Sequence, residues 1–436
     1  MVWTKSRWAA IAFAVGASAL IAASAQATGD YSAQVEPAVR ALVNGDLGAF
    51  FDAQPVYGSF SALVQAPFAA IAVHLGNGSD LLFYRLALFP CLLAVGLLGA
   101  ALCRAMAERG QRPLVCAAAC IVLLINPATF QAVENGHPEE LLAGALLVGA
   151  VLAGLRGRSL WAAVFLGLAF STKQWALLGA VPVLLACRGG EWRPVKVGLV
   201  AGAVAAVLIA PLAVTNTERY TTNAQAAQGG TPIASQFSVW WPLSSAEEQQ
   251  VRVGHEVSTV VRHRVPGALT AMARPAAVIL AMLLALLFAW RRRCPHGQDG
   301  LVGGSRGDPR ASRADEDLLA LLALVLLVRC VLDPLNNPYY HVPVLISLLA
   351  WEGLRLRGLP TLTLLTAAAL WATFSHFMLV QPAVDNGFYL AWTALLSAWL
   401  AVSVFRPGLP RLARRFAAAR RFTAPVGRPW LPARNA

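Results

Sequence analysis

The sequence predicts an all-α fold: a polytopic helical membrane protein with about 12 transmembrane helices. Of its 436 residues, 57% are hydrophobic and only 13% are charged, whereas a soluble domain carries about 25% charged residues. The apolar residues also form blocks close to the roughly 20 residues that a helix needs to cross a bilayer. A transmembrane β-barrel would instead show short segments of alternating polarity.

The apolar blocks define the individual spans. The fifth and sixth are halves of one apolar stretch interrupted by S-T-K-Q at 171–174, which indicates a tight hairpin. The first also resembles a secretory signal ending in A-S-A-Q-A, but its length favours an uncleaved helix. We expect spans at 8–28, 81–103, 113–133, 139–155, 159–171, 175–187, 197–214, 269–290, 318–332, 340–354, 360–380 and 388–405.

The basic residues predict the orientation. Most of the 35 Lys and Arg residues fall in alternate connections, including eight arginines after residue 405. Because positively charged loops stay in the cytoplasm, we expect a multi-pass protein of the plasma membrane with both termini cytoplasmic. The predicted parts are a transmembrane module at 1–215, an outer loop at 216–268, a second transmembrane module at 269–405 and a basic cytoplasmic tail at 406–436.

Composition also excludes some functions. The net charge of +13 follows from the cytoplasmic arginines, so we expect the lipid bilayer as a partner and no nucleic acid. The seven cysteines lie in or beside apolar blocks without a C-x-x-C pair. This indicates small apolar residues and neither a disulfide framework nor a zinc site. We expect no certain cofactor.

Two long outer loops, about 29–80 and 215–268, carry most of the polar sequence between the spans. Helix-like segments after Asp30 and at 60–75 are too short to span, and we expect them on the membrane surface. Phe237, Trp240 and Trp241 suit the interfacial aromatic belt or stacking on a sugar ring, and the belt is the commoner role.

The segment V-E-N-G-H-P-E-E-L-L at 133–142 places charge at the outer end of an apolar span. Pro138 suits a first helical turn, where Glu139 and Glu140 would lie at the positive end of the helix dipole. Such capping explains the carboxylates as well as a functional role does. His137 with both carboxylates could also hold a divalent cation, although no regular ligand spacing supports a metal site.

Lys173 lies inside an apolar stretch. A lysine there is costly, so it either extends to the surface or meets an anion in a polar cavity. We favour the anion because Lys173 faces the same compartment as the 133–142 segment.

The segment R-C-V-L-D-P-L-N-N-P-Y-Y-H at 329–341 forms a second polar outer turn. Interfacial tyrosines and loop-forming Asn and Pro explain part of it, but Arg329 within the outer leaflet needs a partner such as Asp333. Cations that break the positive-inside bias are candidates for binding phosphate. The candidate binding residues from this segment and from the cations that break the bias are Arg262, Arg264, Arg274, Arg329, Asp333, Asn337, Tyr340 and His341.

These features together resemble a known family. Asp30-Tyr31 after the first span, two surface helices and the hairpin F-S-T-K-Q-W-A-L-L-G-A-V-P are similar to the GT-C membrane glycosyltransferases. The chain most resembles the bacterial polyprenol-phosphate-mannose-dependent enzymes of glycosyltransferase family 87, best over residues 1–215. The segments G-H-P-E-E-L-L and L-D-P-L-N-N-P-Y-Y-H look like an actinobacterial branch.

The resemblance implies inverting transfer of a sugar, in those enzymes mannose, from a polyprenyl-phosphate donor to a glycan or glycolipid acceptor outside the plasma membrane. It implies Asp30 as catalytic base, with Glu36 in reserve, and Lys173 as a phosphate ligand. Apart from the resemblance, the charged segment at 133–142 makes His137, Glu139 and Glu140 further candidates for contact with substrate. Where relatives often have Gly-Gln after the third span, this chain has Gly136-His137, so its sugar or acceptor could differ.

A secondary transporter is the main alternative, because twelve spans with cytoplasmic termini also describe many carriers. Against it, the halves show no repeat and no charged pair is placed mid-membrane. An inactive scaffold would leave Asp30 and Lys173 far apart.

Overall fold

The fold is described from a computed structural model, which covers residues 2–54, 58–75, 79–187, 192–229, 233–253, 256–293, 309–356, 358–376 and 381–405. The predicted tail at 406–436 and the end of the span at 360–380 lie outside these residues. The all-α prediction is confirmed, because helices form nearly all of the described chain.

The first half of the chain contains helices α1 to α11. A 3₁₀ turn at Gln174–Gly179 separates the last two. The helices are α1 (Val2–Ser24), α2 (Tyr31–Gln34), α3 (Glu36–Val43), α4 (Leu47–Ala53), α5 (Ser59–Leu75), α6 (Asp80–Glu108), α7 (Pro113–Leu124), α8 (Pro127–Glu134), α9 (Pro138–Leu155), α10 (Ser159–Thr172) and α11 (Ala180–Ala186).

The second half adds seven helices and a short β-hairpin. The elements are α12 (Arg193–Thr215), α13 (Thr217–Gly229), β1 (Ser245–Val253), β2 (Glu256–Arg264), α14 (Gly267–Arg293), α15 (Pro309–Leu332), α16 (Val342–Arg355), α17 (Thr361–Trp371) and α18 (Pro382–Phe405). Turns of 3₁₀ helix lie at Trp241–Leu243 and Pro338–His341, and a π-helical turn lies at Ala372–His376.

The interior is built around α9, α15 and α16. Nearly every residue of α9 and α16 is buried, as is the 317–327 stretch of α15. Helices that are apolar on all sides are expected at such a centre. By contrast, α12, α14 and α18 expose large apolar side chains such as Leu199, Leu283 and Leu395, as expected of helices that face lipid.

Six stretches are long and apolar enough to cross a membrane, judged by length and composition within the described chain. They are Asp80–Glu108, Pro113–Glu134, Pro138–Leu155, Arg193–Thr215, Gly267–Arg291 and Pro382–Phe405. The count of twelve spans stays a prediction, because the other apolar helices are shorter or more polar. The third predicted span is broken at Ile125 and Asn126, where the Asn126 side chain caps α8 by accepting from the Thr129 N–H at 3.0 Å.

The long loop at 216–268 contains the hairpin, which the sequence analysis did not predict. β1 and β2 are antiparallel, with Ser245 opposite Arg264 and Val253 opposite Glu256. The β-branched residues of V-S-T-V-V on β2 favour this strand. A helix forms at the expected place as α5, and its location on the membrane surface stays a prediction.

Candidate active site at one end of the helical bundle

Four chain segments that carry the predicted polar residues meet at one end of the bundle, which we call the site end. α9 begins there and its neighbour α10 ends there, so Glu139 and Lys173 lie close together. α15 also ends there, followed by the 3₁₀ turn at Pro338–His341. Helix direction therefore gathers residues that are far apart in sequence.

The Asp30 turn is docked onto the segment before α9. The Asp30 N–H donates to the Asn135 carbonyl at 3.0 Å. Gly29 and Gly136 both have positive φ, at +52° and +77°, and a Cβ on Gly136 would lie 2.2 Å from the Thr28 carbonyl oxygen. Only glycine permits this close approach. The contact holds Asp30 beside His137.

A chain of polar contacts links Asp30 to Lys173. His137 Nε2 lies 3.3 Å from Asp30 Oδ2, and His137 Nδ1 lies 2.9 Å from Glu139 Oε1. Lys173 Nζ lies 3.0 Å from the same Glu139 oxygen. The Asp30 side chain is 61% exposed, whereas those of the other three residues are buried. The chain thus runs from the surface into the protein.

Glu139, Glu140, Lys173 and Arg329 form what we call the charged cluster. Glu140 Oε1 lies 3.4 Å from Lys173 Nζ and 3.6 Å from Arg329 Nη2. It also accepts a hydrogen bond of 3.2 Å from the Trp175 indole. With two carboxylates and two cations, the cluster is electrically balanced. Balance is expected because an unpaired buried charge costs several kcal/mol.

Aromatic rings hold Arg329 in place. Its guanidinium carbon lies 4.9 Å from the ring centre of Trp175 and 4.3 Å from that of Tyr340. The side chain is about 10% exposed, and its Nη1 has no hydrogen-bond partner within the described part of the chain. A buried guanidinium with an open donor is suited to binding an oxyanion.

A cavity of about 280 Å³ lies against the charged cluster. His137, Glu140, Lys173 and Arg329 line its polar side. Leu177 and Leu178 of the 3₁₀ turn, Ala277 and Val278 of α14, and Leu332 of α15 line its apolar side. Leu177 and Val278 are also exposed on the outside of the bundle. The cavity therefore joins a charged side, with cations and carboxylates, to an apolar wall near the outside of the bundle.

Asp333 and Arg274 face each other at this cavity. Arg274 Nε lies 3.7 Å from Asp333 Oδ2, and Asp333 Oδ1 accepts a hydrogen bond of 3.0 Å from the Leu335 N–H. The partner that we expected for Asp333 was Arg329, which instead pairs with Glu140. Since Arg274 comes from α14, this ion pair ties α14 to the end of α15.

Tyr31 follows Asp30 and is fully buried against Tyr84, with ring centres 4.9 Å apart. Burial, with the nearby Glu36 carboxylate, raises the pKa of the Tyr31 hydroxyl well above its ordinary value. Tyr31 therefore stays neutral and anchors the turn that presents Asp30.

Several predicted site residues lie elsewhere. Arg262 and Arg264 are on β2, where Arg264 pairs with Glu247 at 2.5 Å, and neither lines the cavity. His341 faces away from it, with Nε2 3.2 Å from the Tyr389 hydroxyl. Asn337 donates to the Tyr339 hydroxyl at 3.1 Å.

Glu36 is also committed to a structural contact, since one of its oxygens accepts from Arg40 at 2.6 Å. Trp175 and Tyr339 were not among the predicted site residues, although each is close in sequence to one that was. Among the described residues, no group of three or more His, Cys, Asp and Glu side chains could hold a metal ion. Lys173 lies between the two carboxylates that were considered as cation ligands.

A polytopic helical bundle with buried charged groups and a cavity gathered at one end has the architecture of a membrane enzyme. The model of glycosyltransferase family 87 matches residues 56–303, more than half of the chain. The chain belongs to glycosyltransferase family 87 and is a membrane glycosyltransferase. No curated protein matches it. Asp30 and Arg329 lie outside the matched range, so proposals about them depend on the geometry above.

Proposed function

We propose that this glycosyltransferase moves a sugar from a polyprenyl-phosphate donor to a hydroxyl of a glycan or glycolipid at the outer face of the plasma membrane, with inversion. Asp30 takes the proton of the acceptor hydroxyl as its oxygen attacks the anomeric carbon. The bond from that carbon to the phosphate oxygen breaks, and the lipid phosphate leaves with the electron pair. Lys173 and Arg329 stabilise the charge that develops on it.

The observation that carries this proposal is the two-sided cavity. Its polar side is lined by Lys173 and by Arg329, whose Nη1 has no hydrogen-bond partner among the described residues, and such cations suit a phosphate head group. Its other side is lined by Leu177, Val278 and Leu332, which suits the first isoprene units of a lipid that remains in the bilayer. A water-soluble sugar nucleotide would have no use for such a wall.

The exposed position of Asp30 supports its role as base. A base must lie within hydrogen-bond reach of the acceptor hydroxyl, and acceptors arrive from the membrane surface. The Asp30 side chain is 61% exposed, while its buried partner His137 lines the cavity. Asp30 itself is not among the residues that line the cavity, so donor and acceptor would meet next to His137, which contacts Asp30 and lines the cavity.

The outer location is supported by the placement of arginines. Arg104, Arg109, Arg156 and Arg158 lie at the ends of α6 and α9 that are farthest from the charged cluster. Because arginine-rich ends stay in the cytoplasm, the site end would face outwards. The cavity at one end, and not at mid-membrane, also favours the enzyme over a transporter, whose substrate site lies near the midplane.

The test is transfer by the purified protein in lipid nanodiscs, given polyprenyl-phosphate sugars labelled in the sugar. Mannose is tested first because the enzymes that the chain resembles use it, followed by glucose and arabinose. The wild type should transfer label, and Asp30→Asn should lower kcat by about 10²–10⁴-fold, the range for a general base. Asp52→Asn, an exposed carboxylate on α4, is the matched control and should remain active.

Two results would contradict the proposal. The first is no transfer by the wild type from any polyprenyl-phosphate sugar. The second is an Asp30→Asn variant that turns over as fast as the wild type. The anomeric configuration of the product, measured by NMR, must also be inverted relative to the donor.

A further inference from the structure

His137 is held between two carboxylates. Nδ1 lies 2.9 Å from Glu139 Oε1, and Nε2 lies 3.3 Å from Asp30 Oδ2. The ring stacks on Tyr339 with centres 4.1 Å apart and planes inclined by 26°. The residue is only 1% exposed. These contacts fix the direction of both ring nitrogens.

The Glu139 contact determines which nitrogen carries hydrogen. Glu139 Oε1 also lies 3.0 Å from Lys173 Nζ, and a carboxylate paired with an ammonium group only accepts hydrogen bonds. His137 Nδ1 must therefore be the donor to it. In the neutral ring the proton is then on Nδ1, and the lone pair of Nε2 faces Asp30.

We propose that His137 is a positioning residue that also receives the proton which Asp30 takes from the acceptor. This inference rests on the proposed function. The acceptor O–H bond breaks and its proton joins the Asp30 carboxylate. The proton then passes to His137 Nε2, and Asp30 becomes a carboxylate again. The imidazolium so formed lies between Asp30 and Glu139, and after product release the proton returns to water through the exposed Asp30.

The surroundings of His137 favour this transfer. A buried carboxylate that holds a histidine tautomer and stabilises its imidazolium is the arrangement used by hydrolytic triads. Here Glu139 has that position, and its Oε1 pairs with Lys173 Nζ at 3.0 Å. Among the described residues, the titratable groups near the ring include Asp30 before α2, Glu139 and Glu140 on α9, Lys173 after α10 and Tyr339 in the 3₁₀ turn.

The kinetic test separates proton transfer from simple support. His137→Gln offers an amide that can still hold Asp30, and His137→Asn offers one that can still bond Glu139. Neither amide accepts a proton. Both variants should lower kcat by about 10²-fold, the lower end for acid–base catalysis, while KM for the donor changes less than about 2-fold. Added imidazole should restore part of the turnover of His137→Ala. The control is His74→Gln, an exposed histidine on α5.

Turnover of His137→Gln at the wild-type rate would overturn the proposal, because an orienting role alone survives in that variant. Absence of imidazole rescue in a folded His137→Ala variant would also count against it.

A second measurement does not depend on activity. The ¹⁵N NMR spectrum of histidine-labelled protein, minus that of His137→Gln, reports which ring nitrogen is protonated. The proposal requires a neutral ring with hydrogen on Nδ1 at the pH of the assay. A ring protonated on Nε2, alone or together with Nδ1, could not accept the proton and would overturn it. If the wild type transfers no sugar, the proposed function fails, and the NMR result alone decides whether Nε2 is available.

Discussion

Buried acidic residues occur at both ends of the bundle, but they are bonded differently. At the end opposite the site, Glu352 of α16 accepts from the Leu362 N–H at 2.9 Å, the Thr363 N–H at 2.7 Å and the Thr363 hydroxyl at 2.6 Å. Both of its oxygens are therefore occupied, and the carboxylate caps the start of α17. At the site end, Glu139 and Glu140 each have one oxygen with no hydrogen-bond partner among the described residues.

This difference in hydrogen bonding distinguishes a buried carboxylate with a structural role from buried charges that can bind a ligand. A carboxylate whose oxygens are all bonded to a helix N-terminus has nothing left to offer a ligand. The charged cluster instead keeps an open donor on Arg329 and borders a cavity. Incomplete bonding beside a cavity is the pattern expected where a substrate completes the network.

Among the variants that probe this difference between the two ends, the largest loss of activity is expected for Lys173→Met. It removes a cation from the proposed leaving-group site and should lower kcat/KM by about 10²–10³-fold, the loss typical of one stabilising donor. Measurement is by initial rates of sugar transfer in nanodiscs. Lys196→Met, an exposed lysine on α12, provides the matched control.

Lys173→Met also leaves Glu139 and Glu140 short of one positive charge, which could lower stability. The double variant Lys173→Met/Glu139→Gln restores the charge balance, so it should regain most of the lost thermal stability without regaining turnover. Recovery of activity in the double variant would contradict a direct role for the ammonium group.

A smaller effect, a loss of apparent affinity for the donor, is expected for Arg329→Lys. The substitution keeps the charge but removes the flat guanidinium that lies against Trp175 and Tyr340 and its fork of donors. The apparent KM for the donor should rise about 10-fold, equivalent to one good contact of about 1.4 kcal/mol. A titration of donor at fixed acceptor measures this, and an unchanged KM would remove Arg329 from the phosphate site.

Glu352→Gln tests the other side of the comparison. It replaces an acceptor with an amide whose NH₂ group would face donors, so the free energy of unfolding should fall by about 1–3 kcal/mol. Turnover of the folded fraction should match the wild type. Thermal unfolding in detergent, followed by circular dichroism, measures the change in stability. The transfer assay measures the turnover. A loss of kcat with unchanged stability would show that the two ends of the bundle are not distinct in function.

The smallest effect is expected for Arg274→Gln. The Arg274–Asp333 pair is long, at 3.7 Å, and the arginine side chain is 30% exposed, so its contribution to stability should be under about 1 kcal/mol. A donor KM raised about 2- to 5-fold would indicate that Arg274 also contacts the head group. Thermal unfolding and donor titration together separate the two roles.

The sequence could predict the helical membrane fold and much of the site region, because both depend on local patterns. Long apolar blocks predicted the helices, and the interruption at Lys173 predicted the hairpin. Charge placement suggested that Asp30, His137, Glu139 and Lys173 face one compartment, and the structure brings these four together.

What the sequence could not predict depends on packing between helices. Arg262, Arg264, Arg274 and Arg329 all break the same charge rule. Arg274 of α14 and Arg329 of α15 line the cavity, whereas Arg262 and Arg264 are on β2 and do not. His341 is adjacent to Tyr340 but points to α18. Side-chain direction at a helix start depends on a neighbour that no local pattern identifies.

The central claim is that the charged cluster and its cavity bind an anionic lipid head group. The most direct measurement is calorimetric titration of a short polyprenyl phosphate into the protein in nanodiscs, with the polyprenyl alcohol of the same chain length as control. The account predicts saturable binding of one phosphate lipid per chain, weakened about 10-fold or more in Lys173→Met, and much weaker binding of the alcohol. Equal binding of phosphate and alcohol, or unchanged affinity in Lys173→Met, would contradict it.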